Sequence, residues 1–441
     1  MKTILLAAGR SRRVKPIEDK NFLRFCGKFL IHYQIEALAG AGFDDLILVV
    51  GAHNLERLNA LAQTMSKEHG GPVVTVVEQK DLAAGMAGAV LSARPHVKKD
   101  EPIVIVSTND VMDPSAYQLL WDAAQNQNFS SFIVGKTVTE YFPGGYLNVD
   151  KENRIEGLVE KPGAGNEPSN LVNLVLHLHK KSDALFDAIE STQTDRDDRY
   201  EVALDALIKA GHRMQAIPYS GYWQAIKFPW HVFPVARYFF EKSTQNKKGP
   251  IIAATAKVED GARIIGNVII EEGAKIMAGA TVVGPAYIGK NCIVATNALV
   301  RESFLGERCV VGFSTEIARS VLGDDVWTHS NYIGDSVIGD NVSFGAGCVT
   351  GNLRFDEKEI DVVIGKGKVS SGMNKLGLFT GDNIRVGINT SFMPGIKVGS
   401  NSLIGAGTVI AQDIEEGSYA RGEVTLKISP NKIGGMPPRP H

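Results

Sequence analysis

The sequence has few cysteines, no long apolar run and almost no net charge, and each of these features excludes a class of protein. The four cysteines among 441 residues lie far apart, so they form neither a disulfide framework nor a pair with metal-ligand spacing. No stretch approaches the roughly 18 apolar residues that span a bilayer. The 47 basic and 49 acidic residues leave a formal charge of −2, which disfavours nucleic acid and acidic membrane surfaces as partners.

We do not expect an export signal at the amino terminus. The segment MKTILLAAGRSRR has an apolar run of only about six residues before its arginines, which is too short for a signal peptide. We therefore expect a cytoplasmic protein. Because 44% of the residues are apolar and 22% are charged, a largely disordered chain is excluded as well.

Glycine is plentiful but unevenly distributed, since most of the 46 glycines lie after residue 250. Such a shift within one chain predicts two architectures, one over residues 1–240 and the other over residues 251–425. The polar segment 241–250 ends in Gly-Pro and is predicted to be a linker. Residues 426–441, which end in a proline-rich stretch, are predicted to be a tail.

The first half alternates between two hydrophobic patterns. Continuous apolar runs, which strands buried on both faces require, are separated by segments with helical spacing. This alternation predicts an α/β domain with a mostly parallel sheet, whose ligands bind beyond the carboxyl ends of the strands. The runs are residues 3–6, 46–50, 73–77 and 103–106, and the helical segments are residues 29–39, 54–69 and 117–126.

The second half contains an internal repeat of six residues. A β-branched residue recurs eight times without a slip, and a small or short residue usually follows four positions later. This period is typical of a solenoid of short parallel strands, three per coil, with the β-branched side chain inside and the small one at a corner. Residues 352–379 interrupt the repeat and are predicted to be an inserted loop. The recurring positions are Val258, Ile264, Ile270, Ile276, Val282, Ile288, Val294 and Val300, and the pattern resumes at Val386, Phe392, Val398, Ile404 and Ile410.

A glycine turn and a spaced pair of cations follow the first strand. Backbone amides at such a turn can hold phosphate, and Lys20 comes seven residues after Arg13. The run from Leu6 to Lys28 resembles the signature of sugar-1-phosphate nucleotidylyltransferases, and most of all that of N-acetylglucosamine-1-phosphate uridylyltransferases. The alternative interpretation is a solvated basic loop.

This resemblance implies a Rossmann-like nucleotidyltransferase domain that takes a nucleoside triphosphate, UTP or dTTP, and a sugar 1-phosphate. It implies that Arg13 neutralises the departing pyrophosphate and that Lys20 contacts the transferring phosphate. Asp110 would bind Mg²⁺, its alternative role being a helix cap near Pro114. The implied nucleotide contacts are Leu6, Ala7, Ala8, Gly9, Gln79, Gly85 and Met86, and the implied sugar-phosphate contacts are Gly145, Glu160, Lys161 and Asn173, with Glu201 as a further sugar contact.

Three positions depart from the pattern of that family. Ser11 replaces a usual glycine, and Met86 replaces a usual threonine. The family's second metal ligand, Asp or Asn, is replaced by Ala225, and Lys227 brings positive charge to the same segment. We therefore expect metal binding to be weakened, or Lys227 to replace a cation in part.

The six-residue repeat resembles the left-handed parallel β-helix of the acyltransferase superfamily, which implies a homotrimer. His329 is the one histidine of the repeat region, and its segment, together with residues 352–359 and 370–379, resembles archaeal-type bifunctional uridylyltransferase/acetyltransferases. The resemblance implies acetyl-CoA as co-substrate and His329 as the base that deprotonates an amino sugar. The alternative for His329 is a structural histidine. The resemblance also implies that Tyr332 stabilises the tetrahedral intermediate or contacts the sugar phosphate and that Asn352 orients the amine. Either Lys358 or Lys375 would bind the phosphate of the sugar.

Three functions remain open at this point. The first is a bifunctional enzyme that acetylates an amino-sugar 1-phosphate and then couples the product to a nucleotide. The second is an acetyltransferase with a catalytically degenerate, nucleotide-binding regulatory domain at its amino terminus. The third is a nucleotidylyltransferase whose solenoid serves only to form a trimer. A metal site at His177 and His179, which share one face of a strand, lacks a third ligand in the sequence.

Overall fold

The computed structural model describes residues 1–67, 71–196, 198–423 and 427–430. Residue 426 and residues 431–441 of the predicted tail lie outside this part of the chain. The two predicted architectures follow one another along the chain, an α/β half and a solenoid of parallel strands.

The first half contains thirteen strands and seven α-helices in the described ranges. The strands are β1 (Lys2–Leu6), β2 (Arg24–Phe25), β3 (Lys28–Phe29), β4 (Asp45–Val50), β5 (Val73–Glu78), β6 (Ile103–Ser107), β7 (Asp110–Met112), β8 (Ser131–Thr137), β9 (Gly145–Val149), β10 (Ile155–Glu160), β11 (Leu171–His179), β12 (Met214–Tyr219) and β13 (Trp223–Ala225). The helices are α1 (Leu30–Gly40), α2 (Leu55–Lys67), α3 (Gly85–Ser92), α4 (Ser115–Ala123), α5 (Ser182–Ser191), α6 (Arg199–Lys209) and α7 (Val232–Thr244).

The main sheet is mixed rather than mostly parallel. Strands β5, β4, β1 and β6 are parallel neighbours, as the continuous apolar runs predict. Strand β11 is antiparallel to β6 and β9 along one side and to β8 along the other, and β9 and β10 form a hairpin. The antiparallel direction of these strands was not predicted, because a buried strand has the same apolar pattern whichever way its neighbours run.

The loops that follow β1 and β6 meet at one edge of this sheet. The two strands are parallel, so their carboxyl ends lie side by side. The Ala7 N–H donates to Val49 O (2.8 Å), and the Thr108 N–H donates to Leu6 O (3.2 Å). The glycine turn after β1 and the segment leading to Asp110 are therefore held against each other by backbone hydrogen bonds.

The last helix of the first half extends into the predicted linker. Helix α7 continues to Thr244, because its buried face includes Phe240 and Thr244 as well as earlier residues. The linker prediction for residues 241–244 is therefore wrong, and residues 245–250 connect the two halves. A polar composition does not exclude a helix when one face of that helix is buried.

The second half is a parallel β-helix with three faces. The first face consists of Ile251–Ile252, Val268–Ile270, Ala286–Ile288, Phe304–Leu305, Val321–Leu322, Val337–Ile338, Phe379–Thr380 and Lys397–Val398. The second consists of Lys257–Val258, Lys275–Ile276, Ile293–Val294, Val310–Val311, Val342–Phe344, Ile384–Val386, Leu403–Ile404 and Tyr419–Ala420. The third consists of Arg263–Ile265, Thr281–Val283, Leu299–Arg301, Glu316–Ala318, Tyr332–Gly334, Val349–Thr350, Ser391–Phe392 and Val409–Ile410.

The register of the coils explains the six-residue repeat. Val258 lies opposite Ile276, which is three repeats further along the chain, so each β-branched position stacks on its equivalent in the next coil. Ile276 and Val282 are fully buried in the solenoid core. Val258 is exposed because it belongs to the first coil, which has no coil beneath it.

The predicted inserted loop contains regular structure. Residues 361–364 and 367–370 form an antiparallel hairpin in which Val362 is buried and Val363 is exposed. Phe379 belongs to a coil of the solenoid, where it lies opposite Val337. The insertion is therefore shorter than predicted, and it is folded.

The two halves share one apolar cluster. Val14 and Ile17, which lie between Arg13 and Lys20 in sequence, belong to the same buried cluster as Val337, Leu376 and Phe379. On the same side, Arg24 forms ion pairs with Glu307 (3.6 Å) and Asp324 (3.2 Å) of the solenoid. The segment with the predicted catalytic cations therefore rests on the β-helix.

We expect Phe379→Ala to destabilise the protein, because it removes a fully buried ring from the cluster that joins the two halves. Large-to-small core substitutions of this kind cost about 3–5 kcal/mol. Urea unfolding followed by tryptophan fluorescence measures the effect as a lower midpoint. Phe355→Ala is the matched control, because Phe355 is an exposed phenylalanine of the insertion. Equal midpoints for the two variants would contradict the interpretation.

Candidate functional site

A cavity of about 970 Å³ lies at the carboxyl edge of the main sheet. It collects residues from loops far apart in the sequence, because the parallel strands end at the same edge. All of the binding and catalytic residues predicted for the first half line this cavity, except one predicted sugar-phosphate contact. Those that line the cavity are Leu6, Ala7, Ala8, Gly9, Arg13, Lys20, Gln79, Gly85, Met86, Asp110, Gly145, Glu160, Asn173 and Glu201.

The exception is Lys161. Its side chain is 61% exposed, and it forms an ion pair with Glu160 Oε1 (3.1 Å). Glu160 itself lines the cavity beside Gly145, where a Cβ would lie 2.9 Å from Glu160 Oε2. A role for Lys161 in phosphate binding stays a prediction.

The glycine turn is held by side chains that the sequence analysis did not identify. Asn21 Nδ2 (3.2 Å) and Asn54 Nδ2 (3.0 Å) both donate to Ala7 O. Both amides also donate to the Asp19 carboxylate, at 2.8 and 2.7 Å. Asn54 lies on the loop before α2, far along the chain from the turn, so no local sequence pattern indicates this contact.

Lys20 is buried inside the cavity wall. Burial lowers its pKa to about 8, although the nearby Asp19 and Asp110 carboxylates favour the charged form. Arg13 lies close enough to interact with it electrostatically. An ammonium with so little water around it interacts strongly with any anion that enters the cavity.

Asp110 is a buried carboxylate in the lining of the cavity. Its Oδ1 accepts a hydrogen bond from Trp223 Nε1 (2.9 Å), and burial raises its pKa, while Trp223, Lys227 and Lys20 lower it. In the β7–β13 pair, Ala225 lies directly opposite Asp110. The carboxylate is therefore surrounded by an indole N–H, a methyl group and two ammonium groups.

Lys227 is the second lysine beside Asp110, and it also lines the cavity. Its Nζ donates to Pro143 O (3.2 Å) and lies 4.0 Å from the centroid of the Phe142 ring. Burial lowers the pKa of this lysine to about 8, and Asp110 opposes that shift. The sequence prediction that Lys227 brings positive charge to this segment agrees with these contacts.

A buried hydrogen-bond network supports Asn173 in the cavity lining. Asn173 Oδ1 lies 3.0 Å from His177 Nε2, and His177 Nδ1 lies 2.8 Å from the Tyr200 hydroxyl. His179 Nδ1 lies 2.9 Å from Ser131 Oγ. Burial lowers the pKa of His177 to about 4 and that of His179 to about 3, so both rings are neutral near pH 7. The two histidines thus take part in a network that orients a cavity residue.

The solenoid contains a second polar cluster around two of its predicted residues. Asn352 Nδ2 donates to the Tyr332 hydroxyl (3.0 Å) and to Asp335 Oδ2 (2.5 Å). Asp335 also accepts two hydrogen bonds from Arg319, at 2.6 and 2.7 Å. Asp335 and Arg319 were missed by the sequence analysis, because their coils become neighbours only in the folded solenoid.

His329 is exposed, on the coil that also contains Tyr332. Its backbone N–H donates to Asn331 Oδ1, and Asn331 Nδ2 donates to Gly345 O (2.8 Å). The turn that presents the imidazole is therefore fixed by a buried asparagine. The role of this ring as a base stays a prediction.

The two lysines predicted for the phosphate of this second site differ in position. Lys358 is exposed in the insertion, where its backbone N–H donates to Asp356 Oδ1 (3.4 Å). Lys375 forms an antiparallel bridge with Leu353, so its backbone lies next to Asn352. This placement favours Lys375 over Lys358 as a neighbour of the Asn352 cluster.

Known proteins are similar to this chain over nearly its whole length. The nucleotidyl transferase family matches residues 2–226, and the GMPPB C-terminal domain family matches residues 247–338. A bifunctional sugar-1-phosphate nucleotidylyltransferase/acetyltransferase from Sulfurisphaera tokodaii is 33% identical over 95% of this chain and 99% of that protein. The bifunctional protein GlmU of Methanocaldococcus jannaschii is 32% identical over 97% of this chain and 99% of its own length.

The chain belongs to the bifunctional sugar-1-phosphate nucleotidylyltransferase/acetyltransferase family. The resemblance stated from the sequence is thus confirmed, and so are the Rossmann-like first half and the β-helical second half. Among the described residues, no helix is long and apolar enough to cross a membrane.

The family implies a divalent metal in the nucleotidyl site and acetyl-CoA in the acetyl site. The residues around Asp110 do not form a site that could hold a metal ion with protein ligands alone. Within the described ranges no group of three or more His, Cys, Asp or Glu is arranged to hold a metal ion. Ala225 offers no ligand atom, and Lys20 and Lys227 already supply positive charge to the carboxylate. Magnesium at Asp110 stays a prediction.

We expect the two buried histidines to make the protein less stable in weak acid. Their pKa is about 4 and about 3 when folded and 6.5 when unfolded. As the pH falls below about 6.5, the unfolded chain binds protons that the folded chain does not, so the free energy of unfolding decreases. Urea unfolding at about pH 7.5 and about pH 5 measures this decrease.

His179→Gln should make that decrease smaller, because glutamine does not titrate. His96→Gln, at an exposed position, is the control and should leave the decrease unchanged. If the wild-type protein and His179→Gln lose the same stability between the two pH values, the buried neutral histidine is not the cause.

Proposed function

We propose that the protein catalyses two transfers in its two halves. The first half transfers a nucleotidyl group from UTP or dTTP to a sugar 1-phosphate and releases pyrophosphate. The second half transfers an acetyl group from acetyl-CoA to the amine of an amino-sugar 1-phosphate. The observation on which the first activity rests is that Arg13, Lys20 and the glycine turn line one cavity at the carboxyl edge of the sheet.

The nucleotidyl transfer proceeds by positioning and charge. A phosphate oxygen of the sugar 1-phosphate attacks the α-phosphorus of the nucleotide in line, a new P–O bond forms, and the bond to the β-phosphate oxygen breaks. Arg13 neutralises the departing pyrophosphate, and the Lys20 ammonium binds the phosphate that is transferred. Because the Lys20 ammonium is fixed in a poorly hydrated wall, it stabilises the spread negative charge of the transition state without reorganisation.

The acetyl transfer needs a base, because the substrate amine carries an additional proton at neutral pH. His329 accepts that proton, the amine nitrogen attacks the thioester carbonyl, and a C–N bond replaces the C–S bond as CoA leaves as its thiol. Tyr332 donates to the oxyanion or the sugar phosphate, and Asn352, held by Tyr332 and Asp335, orients the amine.

The two alternative functions are less well supported. A degenerate first half is disfavoured, because Arg13, Lys20 and Asp110 are all present in its cavity. A solenoid that serves only to assemble a trimer does not require the Asn352, Tyr332 and Asp335 cluster. Both halves also align with bifunctional relatives over nearly their whole length. We propose a homotrimer as the assembly, for which the exposed Phe313 and Trp327 near His329 provide apolar surface.

We expect two substitutions to separate the activities. Lys20→Met should reduce pyrophosphate release by about 10²–10³-fold, because a preorganised charge is lost, and should leave CoA release unchanged. His329→Ala should reduce CoA release by about 10²–10⁴-fold, the usual contribution of a general base, and should leave pyrophosphate release unchanged. The measurement follows both products separately with glucosamine 1-phosphate or its N-acetylated form, acetyl-CoA, UTP and Mg²⁺.

Two exposed residues of the same types serve as controls. Lys151→Met and His96→Ala lie outside the cavity lining and should leave both rates unchanged. Acetyl transfer at the wild-type rate in His329→Ala would show that this histidine is not the base.

A further inference from the structure

A metal ion bound to Asp110 would need further oxygen ligands. Positively charged side chains lie near this carboxylate instead. Ala225 lies directly opposite Asp110 and contributes only a methyl group. Lys20 and Lys227 both interact with the Asp110 carboxylate, and Arg13 interacts with both lysines. Two ammonium groups therefore interact with one carboxylate in the cavity lining, and a guanidinium interacts with both of them.

Lys227 is held in place rather than free in solvent. Its ammonium donates to the Pro143 carbonyl and lies over the face of the Phe142 ring, and both neighbours belong to the loop between β8 and β9. Its backbone N–H donates to Ala225 O (3.1 Å), next to the residue opposite Asp110. These contacts keep the charge at the cavity wall before any substrate arrives, which is the condition for an effective electrostatic contribution.

An ammonium and a divalent cation bind phosphate in different ways. Lysine is a compact point charge that binds phosphate oxygens without needing any other protein ligand. Mg²⁺ needs near-octahedral oxygen coordination and is usually held by one or two carboxylates together with phosphates. A fixed ammonium beside Asp110 repels a divalent cation and attracts the same phosphate oxygens.

We propose that Lys227 is the built-in cation of the nucleotidyl site, so that the nucleoside triphosphate binds without a divalent metal. This inference rests on the proposed function. The Lys227 ammonium, together with Lys20 and Arg13, contacts the phosphates of the nucleotide. It forms and breaks no covalent bond, and it balances the negative charge that grows on the leaving pyrophosphate.

The first experiment measures UTP and dTTP binding to the full chain by calorimetry, in excess EDTA and in excess Mg²⁺. The wild-type affinity in EDTA should lie within about threefold of that in Mg²⁺, a difference below ~1 kcal/mol. Lys227→Met should weaken binding in EDTA by about tenfold or more, which corresponds to ~1.4 kcal/mol. Lys227→Arg, which keeps the charge, should retain most of the metal-free binding. Lys151→Met, on the exposed turn between β9 and β10, should bind as the wild type does.

The second experiment measures Mn²⁺ binding without nucleotide, by electron paramagnetic resonance. The wild-type protein should not bind Mn²⁺ at this site. The double variant Ala225→Asp, Lys227→Gly should bind it, because a second carboxylate then faces Asp110 and the competing ammonium is gone. Urea unfolding of each variant shows whether that variant is folded. If the double variant does not fold, the comparison of Lys227→Met with Lys227→Arg in the first experiment still tests the proposal.

The outcomes distinguish this inference from the proposed function. If the wild-type protein binds UTP or dTTP only with Mg²⁺, and Lys227→Met binds equally well, Lys227 is not a built-in cation, whereas the proposed function stands. Wild-type binding of Mn²⁺ as tight as that of the double variant also overturns the inference. If neither nucleotide binds under either condition, the proposed nucleotidyl transfer itself fails.

Discussion

The contact between the phosphate-binding segment and the β-helix is the constraint on which the rest of the structure depends. Val14 and Ile17 are buried in a cluster that includes Val337 and Phe379 of the solenoid. Because Arg13 and Lys20 flank these two apolar residues in sequence, the same packing that joins the halves also fixes the backbone that bears the cations. A solenoid core is rigid and close-packed, so it provides a firm support for a loop that must not move when charge develops.

The electrostatics of the cavity follow from this fixed geometry. Buried Lys20 and the supported ammonium of Lys227 flank Asp110, and the ordinary cost of burying a charge is reduced because each lysine interacts with the carboxylate. Trp223 donates an indole hydrogen bond to this carboxylate, and Ala225 lies opposite it on the neighbouring strand. The site therefore favours a polyanionic ligand, and its own residues provide most of the compensating charge.

Much of the fold was predictable, and the errors have physical reasons. The β-branched residues at Ile276 and Val282 face the core, because the six-residue period matches the coil. The antiparallel direction of β11 was not predicted, since its apolar run resembles that of a parallel strand. The predicted linker began too early, because the buried face of α7 outweighs its polar composition. Of the site residues, those next to the glycine turn were found, whereas Asn54 and Asp335 act through contacts that no local pattern encodes.

The sequence by itself determined the two architectures, the resemblance to a bifunctional family and the identity of the cations, because periodicity and short motifs are local properties of a chain. Only the tertiary structure decided that Ala225 faces Asp110, that Lys227 reaches the same cavity, and that Lys161 does not line it. These facts depend on which strands pair and which loops meet at the sheet edge. Such pairings join residues more than a hundred positions apart, where no spacing in the sequence records them.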